Sequence, residues 1–123
     1  CDIDIFKQVN DLHGHTVGDL ILRKVARLLT TTFRSIDYVC RIGGDEFAVI
    51  MVNVGRELSH TVSDKIELIN DALSNPTDGL PAVSLSVGVA FTDRENPGES
   101  IFKDADQALY RVKQNGKHDC GFY

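Results

Sequence analysis

Four residues near the middle of the chain, Gly43-Gly44-Asp45-Glu46, set two positions without a side chain beside two adjacent carboxylates. Adjacent carboxylates offer hard oxygen ligands to a divalent cation. Glycines let a phosphate or a flat ring lie against the main chain, and they take the positive φ that tight turns use. Apolar runs flank the quartet: Tyr38-Val39-Cys40 before it, Phe47-Ala48-Val49-Ile50-Met51-Val52 after it. Two β-rich runs around such a tip predict a hairpin. A plain turn with solvated acids carries the same letters, so the quartet takes its meaning from its company.

That company begins at the N-terminus, with Asp2-Ile3-Asp4-Ile5-Phe6-Lys7, Asn10-Asp11, Gly14-His15 and Gly18-Asp19. Asp2 stands at the end of an expected strand. Ligand sites in α/β sheets lie beyond the carboxyl ends of strands, so Asp2 can face the Asp45-Glu46 tip. Asn10 and Asp19 also suit helix capping, because both fall where helical turns are expected to open.

The elements that position these groups follow from periodicity. A strand is expected at 1–3, a short helix near 6–12 and a long helix over 16–33. In the long helix Val17, Ile21, Val25, Leu28 and Leu22, Ala26, Leu29, Phe33 supply a stripe of period 3.6. Strands follow at 37–42 and 46–53. A helix over 56–74 turns Leu58, Val62, Ile66, Ile69 and Leu73 inward and stops at Asn75-Pro76. A strand at 82–91 precedes a helix at 99–115 with Ile101, Ala105, Ala108, Leu109 and Val112 inward. Gly116 is its C-cap, and Tyr110 reads as core or as support behind the site rather than as a proton donor. Phe122-Tyr123 end a short last strand. This order predicts an α+β fold with the helices on one face of a mainly antiparallel sheet.

Composition sets the outer bounds. The 123 residues make one domain, and 42% hydrophobic content allows a core of modest size. Cys1, Cys40 and Cys120 form no C-x-x-C pair, which predicts reduced thiols and no zinc site. No run of 18 apolar residues and no signal-peptide pattern occurs, so direct membrane contact is not expected and a cytoplasmic location is. A net charge of −5 argues against a nucleic-acid polymer as partner, which needs a basic footprint. A nucleotide site is compatible with it, because a metal ion and a few lysines neutralise phosphates locally.

Four blocks in order resemble a known family. They are Asp2-x-Asp4-x-Phe6-Lys7-x-x-Asn10-Asp11-x-x-Gly14-His15-x-x-Gly18-Asp19; Arg41-x-Gly43-Gly44-Asp45-Glu46-Phe47; Ser84-x-Ser86-x-Gly88-Val89-Ala90; and Ala105-Asp106-x-Ala108-Leu109-Tyr110-x-x-Lys113-x-x-Gly116. They are similar to the GGDEF domain of bacterial diguanylate cyclases, from Asp2 to about Lys117. The resemblance implies a ferredoxin-like, palm-type nucleotide cyclase fold. It implies condensation of two GTP into cyclic di-GMP and pyrophosphate, with Mg²⁺ or Mn²⁺ as cofactor and a homodimer for catalysis. The alternative is a catalytically silent module that binds GTP or cyclic di-GMP.

Residue by residue, the resemblance assigns Asp2, the Ile3 carbonyl and Asp45 to the metal. It makes Asp45 and Glu46 the catalytic acids, either of which can take the 3′-hydroxyl proton. Gly43 and Gly44 accept the α-phosphate and ribose against the backbone. Lys7, Lys113 and Lys117 meet the terminal phosphates. Lys117 stands where many members carry arginine, so the bidentate fork is lost there. Asn10 and Asp19 read guanine. Arg34-x-x-Asp37, ending five residues before Gly43, matches an inhibitory product site, although a helix-end arginine with a turn acid would look the same. Family members carry a D-x-L-T-G-L-x-N-R segment, a helix and most of the first strand ahead of Asp2. The expected unit is therefore a single domain over 1–123 cut from a larger multidomain protein.

Overall fold

Strand β1 is two residues long, Asp2–Ile3, yet it holds the middle of the sheet in the computed structural model, which describes residues 1–123. After it come α1 (Phe6–His13), α2 (His15–Thr32), β2 (Tyr38–Arg41), β3 (Phe47–Ile50), α3 (Ser59–Ser74), β4 (Leu85–Val89), α4 (Ile101–Gln114) and β5 (Cys120–Phe122). β1 pairs antiparallel with β4 in the register Asp2↔Ser86 and Ile3↔Leu85. β5 runs parallel to β4, with Gly88 opposite Gly121. β2 and β3 form the expected hairpin, with Tyr38 opposite Ile50 and Arg41 opposite Phe47. β3 reaches the free edge of β1 through an antiparallel bridge between Asp2 and Glu46. There the Phe47 N–H donates to the Cys1 carbonyl at 2.8 Å and the Ile3 N–H to the Asp45 carbonyl at 3.1 Å. The strand order is thus β2-β3-β1-β4-β5, antiparallel except for the last pair.

Alternation along β1 and β4 sorts the two faces. Ile3, Leu85 and Val87 point to one side and pack on Ile21, Val25 and Leu29 of α2 and Ile66, Ile69 and Leu73 of α3, all buried. Each such side chain contributes about 1.5–3 kcal/mol relative to exposure. The first residue of β4, Leu85, lies beyond the end of β5, so no strand serves its outer edge. Asn70 of α3 takes that place: its Oδ1 accepts the Leu85 N–H at 2.7 Å and its Nδ2 donates to the Leu85 carbonyl at 3.1 Å.

The opposite face carries Ser86, Gly88 and Gly121, and α4 lies on it. A Cβ on Gly88 would collide with the Ala105 carbonyl and the Leu109 main chain, and one on Gly121 with the Val112 side chain. The glycine pair therefore fixes how closely and in what register α4 meets the sheet. Helices cover both faces, not one as the element order suggested. Composition alone hid this, because the apolar residues that α4 buries are only Ala108, Leu109 and Val112, beside the buried Asp104.

Other expectations shift at their edges. β3 stops at Ile50, because Asn53 turns the chain at φ 56°. Leu58 falls in a 3₁₀ turn, Arg56–Leu58, whose phase does not continue into α3, so it is exposed rather than inward. Ile101 opens α4 before the helix reaches β4, and Tyr110 points away from the Ala108-Leu109-Val112 face; both are exposed. Gly116, at φ 103°, does follow the end of α4, and the Lys117 N–H returns to the Val112 carbonyl at 3.0 Å in the six-to-one bond of a Schellman motif.

Candidate active site

Asp2 sits where β1, the hairpin tip and α4 converge. Because Gly88 and Gly121 set the register of α4, Lys113 arrives over the sheet with its ammonium on Asp2 Oδ2. Burial works against the Lys113 charge, but the Asp2 hydrogen bond and the fields of Asp2, Asp45 and Asp4 outweigh it and hold the group above the ordinary lysine range. The other carboxylate oxygen, Asp2 Oδ1, is buried and has no partner. Glu46 lies directly across from Asp2.

The tip between β2 and β3 is tied by its own bonds. The Ile42 and Gly43 N–H groups donate to the Glu46 carbonyl at 2.9 and 3.3 Å. Arg41 folds back, its Nε on the Gly43 carbonyl at 3.0 Å and its Nη2 on the Gly44 carbonyl at 2.9 Å. Arg41 was legible in sequence only as a motif letter; its structural work is to hold both glycine carbonyls on its own side. The expected positive φ is absent: the glycines in the left-handed region are Gly14, Gly79 and Gly116. A Cβ on Gly44 would enter open space, and one on Gly43 would meet only the Glu46 Cβ at 3.9 Å. Neither backbone conformation nor packing requires glycine at 43 or 44.

Asn10 and Asp19 come from the α1–α2 pair that follows β1. Neither caps a helix: α1 begins after Ile5 and α2 after Gly14, neither with a side-chain cap. Asn10 Oδ1 is buried without a partner, in a space that exists because residue 18 is glycine; a Cβ there would strike that oxygen. Asp19 follows Gly18 and is exposed, as is Lys7 in the first turn of α1.

Asp4, which sequence reasoning left without a role, is among the few buried charged residues, at 6% exposure. Its Oδ1 accepts the Ser86 hydroxyl at 2.6 Å; its Oδ2 accepts the Ser84 hydroxyl at 2.6 Å and the His118 N–H at 3.1 Å. The backbone around it is strained: Ile5 has φ 52°, Lys117 64° and His118 53°. Left-handed residues other than glycine cost on the order of 1–3 kcal/mol each. The D-x-D spacing, which sets both side chains on one face of a strand, was the available signal for Asp4.

Arg34 and Asp37 lie at the other end of the hairpin, where Tyr38 pairs with Ile50. They bind each other: Arg34 Nε donates to Asp37 Oδ2 at 3.0 Å and Nη2 to Oδ1 at 2.7 Å. The Val52 N–H also donates to Asp37 Oδ1 at 3.2 Å. The Asp37 side chain is fully buried, whereas that of Arg34 is 37% exposed. The Arg34 guanidinium holds the Asp37 carboxyl below the usual carboxylate range, against the opposing effect of burial.

The donor set suits a hard divalent cation in part. Asp2 Oδ1 has no partner, Asp45 and Glu46 are half-buried with no hydrogen bond to their carboxylates, and no return bond from the Asp45 N–H reaches the Ile3 carbonyl. No three His, Cys, Asp or Glu side chains gather into a cage. Two carboxylates and a carbonyl fit Mg²⁺, which keeps waters and takes substrate phosphate as further ligands. The three cysteines are free, and burial pushes the Cys120 thiol up to about 12. No helix is long and apolar enough to cross a membrane.

Comparison with known proteins gives one answer. The family model described as "Diguanylate cyclase, GGDEF domain" matches residues 1–119. Diguanylate cyclase A of Treponema denticola is 36% identical over 119 residues, 95% of this chain and 32% of that protein. The probable diguanylate cyclase DgcT of Escherichia coli K12 is 35% identical over 122 residues, 95% of this chain and 27% of that protein. The chain thus spans about a third or less of the curated relatives it matches. Among solved structures, the GGDEF domain of PA1120 (YfiN or TpbB) from Pseudomonas aeruginosa superposes with a TM-score of 0.85 at 29% identity, covering 98% of this chain and 77% of that one. The GGDEF domain of DgcB from Caulobacter crescentus, in complex with c-di-GMP, gives 0.82 at 30% identity, covering 98% and 73%. With its tip, its acidic strand end and its two-faced sheet in place, the chain belongs to the GGDEF family of diguanylate cyclase domains.

Proposed function

We propose that this domain condenses two molecules of GTP into cyclic di-GMP, releasing two pyrophosphates. The observation that carries the reading is the pair Gly43-Gly44, for which the fold has no use, at the tip whose Glu46 bridges to Asp2, the residue that bears the unpartnered Oδ1 and the Lys113 ammonium. Bare main chain beside a cation and free carboxylates suits a nucleoside triphosphate. Its α-phosphate and ribose lie against Gly43 and Gly44. Lys113, kept protonated by its acidic neighbours, serves the terminal phosphates with Lys7 and Lys117. Asn10 Oδ1, an acceptor with nothing to accept from, and the exposed carboxylate of Asp19 suit the N–H edge of guanine.

Mg²⁺ or Mn²⁺, held by Asp2, Asp45 and the Ile3 carbonyl, would neutralise the triphosphate and polarise the α-phosphorus. Asp45 or Glu46 takes the proton from the ribose 3′-hydroxyl as its oxygen attacks the α-phosphorus of the other GTP. One P–O bond forms and the bond to pyrophosphate breaks, twice per product. One domain presents one such site, so two copies must face each other, most simply as a two-fold homodimer. Arg34 and Asp37 form a second site for the product. Asp37 orients the guanidinium, and Arg34 Nη1 and the exposed side of its plane remain free to meet a phosphate or stack on a base.

The test is incubation of the protein with GTP and Mg²⁺, followed by chromatography for cyclic di-GMP and pyrophosphate. Stoichiometric formation of both is the expected result. Binding of GTP without turnover would replace the cyclase by a silent nucleotide-binding module.

A further inference from the structure

We propose that Asp4 is a positioning residue for the triphosphate: its carboxylate ties the turn after α4 to the end of β1 and so fixes where Lys117 stands. The inference rests on the reading that Lys113 and Lys117 receive the terminal phosphates. Three observations carry it. Asp4 is buried and meets neither Lys113 nor any other cation at ion-pair distance, so its retention in the interior is not explained by a salt bridge. All its side-chain bonds come from distant parts of the chain: Ser84 just before β4, Ser86 on β4, and the main chain of His118. The segment it grips is the run Gly116-Lys117-His118, three consecutive residues in the left-handed region.

Such a run does not hold itself. Gly116 takes φ 103° without penalty, and the Schellman bond from Lys117 to Val112 accounts for the first step. Lys117 and His118 then continue in a conformation their side chains disfavour. Beyond them the chain is captured again where the Val87 N–H reaches the Asp119 carbonyl at 2.9 Å. Between those anchors, the His118 N–H bond to Asp4 is the contact that joins the turn to β1. Ser84 and Ser86 aim the carboxylate by donating to one oxygen each, which leaves Oδ2 turned to His118. A charged acceptor suits this task because charge-assisted bonds to N–H groups are stronger than neutral ones. One strand end thereby places Asp2 under Lys113 and, two residues on, Asp4 under the neighbour of Lys117.

The experiment separates ligand regions. Binding of a non-hydrolysable GTP analogue and of GMP, which lacks the terminal phosphates, is measured by calorimetry in Mg²⁺ for the full chain and for Asp4→Ala and Asp4→Asn. Asp4→Ala should weaken the GTP analogue by about ten-fold or more and GMP by less than two-fold. Asp4→Asn keeps an oxygen for the His118 N–H and should stay within about three-fold of the parent on both. Should Asp4→Ala fail to fold, the Ser84→Ala/Ser86→Ala protein, which frees the carboxylate to turn, should show the same selective loss. Equal weakening of both ligands, or none in a folded variant, overturns the role of Asp4. Failure of the parent protein to bind the GTP analogue would instead overturn the proposed function.

Discussion

Replacing Gly43 and Gly44 by alanine separates what the fold needs from what the ligand needs. Neither residue has φ in the left-handed region, and the added methyl groups meet open space at 44 and a single atom, the Glu46 Cβ, at 3.9 Å at 43. The folded state therefore loses nothing, while the unfolded chain loses freedom. Such a glycine-to-alanine change stabilises by about 0.4–1 kcal/mol. With an unfolding entropy near 2.1 cal/mol/K per residue, a 123-residue chain gains roughly 1.5–4 °C in Tm for each substitution. The same methyl group stands where a phosphate or ribose would touch the main chain. A displacement of about 1 Å at a reacting centre costs on the order of a hundred-fold in rate. Each single variant should thus melt at or slightly above the parent temperature and lose about a hundred-fold or more in cyclic di-GMP formation. The assays are a thermal melt without nucleotide and a timed GTP reaction analysed by chromatography. A variant that melts normally and turns over normally would reduce the glycines to a plain turn and remove the main support for the proposed site. One that unfolds would show that the backbone does need them.

Further outcomes follow from the same geometry. Asp45→Ala should keep the parent melting temperature, since its carboxylate makes no hydrogen bond, and should lose several orders of magnitude in turnover; near-normal turnover would remove Asp45 from the metal site. Asn70→Ala leaves the Leu85 N–H and carbonyl without partners in the interior, which costs about 1–3 kcal/mol per group, so its denaturation midpoint should fall well below that of the parent. Arg34→Ala should raise the inhibition constant for cyclic di-GMP by about ten-fold or more, while uninhibited turnover barely changes because Arg34 lies at the far end of the hairpin from Gly43. The same variant has a pH signature. Asp37 has a depressed folded pKa, so the pair stabilises above the ordinary carboxylate range and its contribution disappears as pH falls through the lower folded value. The stability gap between parent and Arg34→Ala should accordingly be full at neutral pH and close below about pH 4. Finally, turnover per mole of protein should fall on dilution below the dimer dissociation constant, and a constant specific rate would exclude the two-copy mechanism.

Much of this molecule was legible because its signals are local. The stripe Ile21, Leu22, Val25, Leu29 and the stop at Asn75-Pro76 depend on near neighbours, and α2 and α3 ended within a residue or two of expectation. The hairpin followed from two apolar runs around Gly43-Gly44. What escaped depends on contacts distant in sequence. The second face of the sheet is built on Gly88 opposite Gly121, a pairing across 33 positions that no periodicity announces. Asn70 looks like a polar intruder in an apolar helix face until Leu85 is seen to lack a neighbouring strand. Arg34 and Asp37 read as two ligand-facing groups, and the structure first spends them on each other. Motif letters reported which residues lie near the site without saying which touch a ligand and which hold others in place; Arg41 and Asp4 are of the second kind.

The places where local rules are broken point to the same corner of the fold. Side-chain oxygens that are buried without partners belong to Asp2 in β1 and Asn10 in α1, the helix that follows β1. Of the four non-glycine residues in the left-handed region, Ile5 follows Asp4 directly and His118 donates to it, with Lys117 alongside; Asn53, beyond β3, is the exception. Elsewhere Asn70 and Asp104 show that this chain satisfies buried polar groups when nothing else claims them. Unsatisfied acceptors and strained main chain, gathered mainly around the end of β1, α1 and the turn after α4, are what the proposed site would look like if its remaining partners arrived with the substrate. The two acceptors, Asp2 Oδ1 and Asn10 Oδ1, suit different partners, a cation and an N–H edge. On the proposed function, a metal-bound guanine nucleotide would supply both at once.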